Sequence, residues 1–196
     1  MSPALVLLAL AASNSCRTYV TESSSKITQS GTTSTTTDTC TYSNLTYSCT
    51  SKNSAGSTST TSYTYGSNAD FVAEGKIMGL TKAKSASLPS LGSITYTYDS
   101  TGRLTSSSSV LGTTTYSGHD ASGRYTSSVL SGSTLTFAYN DSTKTTTMSG
   151  TSVGGAFTIT TTYDSNNNTL KSVSTVGGVA TSTTEYTISK VAQQCQ

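Results

Sequence analysis

One pattern recurs four times in this chain and constrains it more than any other feature. An aromatic or imidazole ring is followed by an acidic or amide turn and then by a residue suited to a positive φ. It runs Tyr98-Asp99 to Gly102-Arg103, His119-Asp120 to Gly123-Arg124, Tyr139-Asn140-Asp141 to Lys144, and Tyr163-Asp164 to Asn168. The rings at 98, 119, 139 and 163 lie about 20 to 24 residues apart, the length of one β-hairpin per unit. Each unit opens on an alternating stretch such as Ile94-Thr-Tyr96-Thr-Tyr98, which puts rings on one face of a strand and hydroxyls on the other.

The turn chemistry follows from the residue types. Asp99 and Asp120 are expected to accept backbone amide hydrogens two residues on, and Gly102 and Gly123 to supply a positive φ without a Cβ clash. Asp141 and Asp164 are read as the turn starters of two degenerate copies, in which Lys144 suits the left-handed region poorly and Asn tolerates it. Hairpins laid side by side would align Tyr98, His119, Tyr139 and Tyr163 into an aromatic column. The expected architecture is all-β, an antiparallel meander of β-hairpin repeats forming an extended curved sheet.

Composition agrees. Serine and threonine make up about two-fifths of the chain, charged residues 10%, and there is no Trp. The Ala, Leu, Glu and Lys of a helical bundle are scarce. A formal net charge of +2 gives neither the charge of a disordered chain nor the basic surface that nucleic acid or anionic lipid requires.

The stretch Tyr96-Thr-Tyr98-Asp99-Ser-Thr-Gly102-Arg103-Leu104 resembles the YD repeat of Rhs-type bacterial proteins, whose core is Tyr-x-Tyr-Asp-x-x-Gly-Arg-Leu. The resemblance covers about residues 94–170, is close in the first unit, and departs in the second, where His119 replaces the Tyr. It implies hairpin sheets and a surface-associated or exported setting. Toxin encapsulation does not carry over, because the chain is too short to close such a shell.

Export is also read from the N-terminus. Met-Ser-Pro leads into an apolar run, Ala4 to Ala12, too short to span a bilayer and suited to the core of a signal peptide over residues 1–15. Small residues then lead to Cys16, which has two readings: lipid attachment at a partial lipobox, or a disulfide to Cys195. Cys40 and Cys49 flank a segment in which a two-residue turn at Asn44-Leu45 would set them opposite each other, pairing Tyr42 with Tyr47 and Ser43 with Thr46.

The remaining divisions are a Ser/Thr-rich hairpin region (16–70), a connector or short helix (71–92), repeats (93–191) and a tail (192–196). Gly75 and Gly79 argue against a long helix in the connector, and Lys76, Lys82 and Lys84 read as a solvated face. Catalytic chemistry is sparse. Gly150-Thr-Ser152-Val-Gly154 matches a nucleophile-elbow pattern, but the one histidine, His119, precedes Ser152. No zinc or calcium spacing is present, so no metal or other cofactor is expected. A non-enzymatic structural, adhesive or carbohydrate-binding role is the leading expectation, with polysaccharide or another surface protein as partner and membrane contact only through a lipid anchor. Open sheet edges would permit self-association. An extracellular polymer hydrolase using acids on the sheet is the alternative. The Tyr face itself reads equally as core or as binding surface.

Overall fold

The structure is a computed structural model that describes residues 16–195. The expected signal segment, residues 1–15, lies outside the described residues.

Fourteen antiparallel strands follow one another around a closed barrel. Four long hairpin strands come first: β1 (Cys16–Gln29), β2 (Thr32–Ser43), β3 (Thr46–Asn53) and β4 (Thr58–Tyr65). A nine-residue helix, α1 (Asn68–Lys76), interrupts the meander. Shorter strands continue it: β5 (Ala83–Leu88), β6 (Gly92–Tyr98), β7 (Leu104–Ser109), β8 (Gly112–Ser117) and β9 (Ser127–Leu130). The last five are β10 (Ser133–Asn140), β11 (Thr145–Ser152), β12 (Gly155–Tyr163), β13 (Thr169–Val176) and β14 (Val179–Cys195).

The hairpin meander is as the sequence implies, but the sheet is not open. β14 runs back along β1 from Gln29↔Ser182 to Cys16↔Cys195 and closes the barrel. The C-terminal stretch read as a tail is therefore strand through Cys195, and residues 16–70 belong to the same sheet as the repeats. Every described strand has two hydrogen-bonded neighbours, so no described strand is left as a free edge. The length of β1 and β14 explains the closure: a seam of this extent satisfies the backbone groups that an open sheet would leave to water.

Period-two alternation decides inside from outside. On β2, Thr35, Thr37, Thr39 and Thr41 are exposed, whereas Thr36, Asp38 and Tyr42 are half-buried and Cys40 is buried. On β10, Leu135, Phe137 and Tyr139 turn inward between exposed Thr134, Thr136 and Ala138. Outward hydroxyls meet across strands, as in Thr50–Thr60 at 3.1 Å and Thr158–Thr175 at 2.6 Å. Aromatics inside and hydroxyls outside are the reverse of a bilayer-spanning barrel, whose outer band is apolar.

The Asn44-Leu45 turn has both residues at positive φ, 48° and 61°, as a two-residue hairpin loop requires. Its register pairs Tyr42 with Tyr47 and Cys40 with Cys49, and the two cysteines are bonded across 4.1 Å between Cα atoms. Cys16 and Cys195 are bonded likewise across 4.0 Å. Of the two readings of Cys16, this structure therefore has the disulfide, which occupies the sulfur that acylation would need.

Candidate functional site

Eight-stranded barrels are filled by their own side chains, and sixteen or more strands enclose a channel. Fourteen strands leave a lumen that needs a plug at one end and stays hollow at the other. The chain turns between β2 and β3, after β4, and in all four ring-Asp or ring-Asn turns fall at the same end, together with α1. The tips at Ser30-Gly31, Val110-Leu111, Val153-Gly154 and Gly177-Gly178 fall at the opposite end.

The plug is α1 with the strap that follows it. Ser67 caps the helix, its Oγ accepting the Asp70 amide hydrogen at 3.2 Å, and Asp70 stands in the first turn where a negative charge is favoured. A nine-residue helix is marginal alone, and packing holds it. Phe71 and Val72 are fully buried. The Phe71 ring stacks on Tyr42 at 3.9 Å between centroids, meets Tyr19 and Tyr65 edge-on, and lies under the Arg17 guanidinium at 4.2 Å. Gly75 is required by close approach: a Cβ there would lie 2.2 Å from Arg17 Cδ.

Glu74 ties the helix to the wall. Its Oε1 accepts the Tyr65 hydroxyl at 2.8 Å, and its Oε2 accepts the Lys82 and Ala83 amides at 2.7 and 3.2 Å. Burial, followed by the Glu74 charge, pushes the Tyr65 phenol far above its ordinary range.

The repeat turns grip this plug from the other side. Asp99 Oδ1 accepts the Thr101 and Arg103 amides, Gly102 has φ 75°, and the Gly102 carbonyl accepts the Lys82 ammonium. Lys82 is thus half-buried in the contact rather than on a solvated face, whereas Lys84 is exposed. Asp120 repeats the turn through the Ser122 and Arg124 amides, with Gly123 at φ 80°. Asp164 does so through the Asn166 and Asn168 amides, with Asn167 at φ 63° in the glycine's place. The Asn167 side-chain amide donates to the Gly75 carbonyl at 2.9 Å and clamps the end of α1.

The third unit differs from expectation. Asn140, not Asp141, starts its turn, accepting the Ser142 and Thr143 amides, and Lys144 takes the positive φ of 51°. Asp141 is thereby released to pair with Arg124. Arg124 also donates from Nε to Asp120 at 2.7 Å and covers the Tyr139 ring at 4.3 Å. Its Nη1 reaches the Met78 carbonyl of the strap at 3.4 Å.

Each of the four rings read as an aromatic column reaches back with a polar atom to the preceding strand or loop. The Tyr98 hydroxyl donates to Ala83 O at 2.6 Å, and the Tyr139 hydroxyl to Tyr125 O at 2.8 Å. His119 Nε2 lies 2.7 Å from Leu104 O, which can only accept, so Nε2 carries the hydrogen. The Tyr163 hydroxyl meets Thr146 Oγ1 at 3.3 Å. Ring-to-ring contact runs through Tyr116, Tyr125 and Phe137, which the repeat pattern does not single out.

Toward the open end the lumen holds two hollows of opposite character. On the long wall of β14, β1, β2, β3 and β4, a groove of about 570 Å³ is lined by Ser25, Thr36, Asp38, Ser51, Asn53 and Tyr186, among others. Asp38 accepts the Ser51 hydroxyl at 2.6 Å and the Ser23 hydroxyl at 3.2 Å, which fixes its carboxylate toward the lumen. Burial and then the Asp38 charge raise the Tyr186 phenol above its usual pKa, so the ring is neutral and a hydrogen-bond donor. On the short wall, β8 to β11, a hollow of about 610 Å³ is lined mainly by apolar and aromatic side chains.

No family model and no curated protein matches this chain. The described residues contain no group of three or more potential metal ligands. Ser152 sits at an exposed hairpin end, and its hydroxyl donates to Gly155 O at 3.2 Å, with no strand-to-helix elbow around it. Glu74, Arg17, Asp38 and Tyr186 carry no local motif, and only the closed register brings them to one lumen.

Proposed function

We propose that this chain is an exported binding module of the bacterial surface, and that its polar groove takes a carbohydrate. The observation that carries the reading is the groove's chemistry. A carboxylate held by two serines, an amide, a set of hydroxyls and one tyrosine ring converge in a concavity of about 570 Å³. Saccharides are recognised by that combination: ring stacking on an apolar sugar face, with carboxylate and amide groups exchanging hydrogen bonds with hydroxyls.

The surroundings support export. Two disulfides are expected of an oxidising compartment. The likeness of residues 94–170 to YD repeats points the same way. Binding is preferred over hydrolysis because Asp38 is the one carboxylate lining the groove, whereas glycoside hydrolysis ordinarily uses two.

Retention of the purified protein on peptidoglycan, chitin and cellulose columns tests the reading. Retention on at least one, abolished by Tyr186→Ala and weakened by Asp38→Asn with circular dichroism unchanged, is the expected result. Passage through all three, or retention that both variants leave intact, would overturn it.

A further inference from the structure

The second hollow has no place in that reading. Tyr116, Tyr125, Leu130, Leu135, Phe137 and Met148 are among the residues that line its volume of about 610 Å³ on the β8 to β11 wall. No charged side chain lines it. The Tyr116 hydroxyl is already paired with Ser107 at 3.0 Å, and the Tyr125 ring packs against Tyr116 and Phe137 at 4.5 and 4.9 Å, so the lining is mostly carbon, with hydroxyls from Thr114, Ser128, Ser131 and Ser133. Leu135 and Phe157 close over Gly150, where a Cβ would meet them at 2.7 and 3.0 Å. At the mouth, Leu111 lines the hollow and is 59% exposed, and its neighbour Val110 is 76% exposed. Large apolar side chains left in water beside an apolar cavity mark an entry path.

We infer that this hollow binds the unbranched alkyl chain of a free amphiphile, with the polar end left at the mouth beside Ser131 and Ser133. A peptide is disfavoured because the lining strands have both ladders filled and offer no edge for an added strand. A charged ligand would meet no counter-charge. Leucine and methionine walls adapt to a flexible chain better than to a rigid polar ring system. The rim of this end is mixed, polar at Ser30-Gly31 and Asn53 to Ser57 but with exposed Val153 and Val179 on the neighbouring tips, so the vesicle arm of the test separates a free amphiphile from a lipid surface.

The test is calorimetric titration of the unaltered protein with 1-hexanol, 1-octanol and 1-decanol. Affinity rising about fourfold per added methylene, the transfer gain of one buried CH₂, is the expected result. Affinity independent of chain length would overturn the proposal, and this arm needs no variant. Ser133→Trp fills the mouth and is expected to abolish decanol binding, with circular dichroism and polysaccharide retention unchanged. Undiminished binding by a folded Ser133→Trp protein would place the alcohol elsewhere and overturn the assignment. Co-flotation with phosphatidylcholine vesicles that Ser133→Trp prevents would assign the hollow to chains of a lipid surface and overturn the free-amphiphile form. Polysaccharide retention is read separately, so either proposal can fail without the other.

Discussion

Arg124 and Asp141 belong to successive repeats and are joined by two hydrogen bonds, Nη1 to Oδ1 at 2.8 Å and Nη2 to Oδ2 at 3.1 Å. Arg124 is 5% exposed and already pairs with Asp120 in its own turn. The guanidinium therefore links two hairpins and, through Met78 O, the strap of the plug. Hydrogen bonds from Arg124 hold both carboxylates below the ordinary range, against the opposing effect of burial on Asp120.

Removing this link destabilises the barrel. Arg124→Ala is expected to cost about 3 kcal/mol, because it leaves Asp120 half-buried without its partner and uncovers the Tyr139 ring. Asp141→Asn is expected to cost less, about 1 kcal/mol, since Asp141 is largely exposed. Urea unfolding checks both, and an Arg124→Ala protein as stable as the unaltered one would show that this guanidinium does not hold the repeats together.

The local half of this fold was legible in the sequence. Alternation in Ile94-Thr-Tyr96-Thr-Tyr98 sets the inward face, and the spacing of Cys40 and Cys49 about Asn44-Leu45 sets a register. Closure was legible only as one of two readings of Cys16, the disulfide to Cys195, because the rest of the seam depends on Gln29 meeting Ser182, a pairing that no local pattern encodes in a stretch of Thr and Ser. The third turn departs from the repeat pattern for a physical reason: Asn140 offers the same side-chain acceptor one residue before Asp141, which frees the acid for Arg124. Glu74 and Asp38 are site residues whose neighbours come from distant strands, and nothing beside them in sequence marks them.

Alkaline pH should loosen the lumen. Burial is the largest cause of the raised tyrosine pKa values, to about 12 for Tyr47, Tyr96 and Tyr139. A raised folded pKa means the stabilising neutral form is fully present below the unfolded value of 10.0 and is lost as pH climbs through 12. Thermal midpoints are thus expected to fall from about pH 10 upward, together with a delayed phenolate absorbance. A single titration near 10 with no loss of stability would contradict the buried placement of these rings.

The plug is held by packing more than by its own helix propensity. Phe71→Ala removes a fully buried ring with four aromatic neighbours and a cation above it, and is expected to cost about 3–5 kcal/mol. Gly75→Ala should also destabilise, since its Cβ enters the Arg17 side chain. Chemical denaturation of both variants checks this, and a neutral Gly75→Ala would show that α1 does not approach β1 so closely.

β1 and β14 close the barrel at a seam stapled by Cys16 and Cys195. Peptide mapping by mass spectrometry of the mature protein, digested without reduction, tests it most directly. One peptide pair joining Cys16 to Cys195, released on reduction, and a second joining Cys40 to Cys49 are expected. A Cys16 peptide carrying acyl chains, or Cys195 recovered as a free thiol, would contradict it.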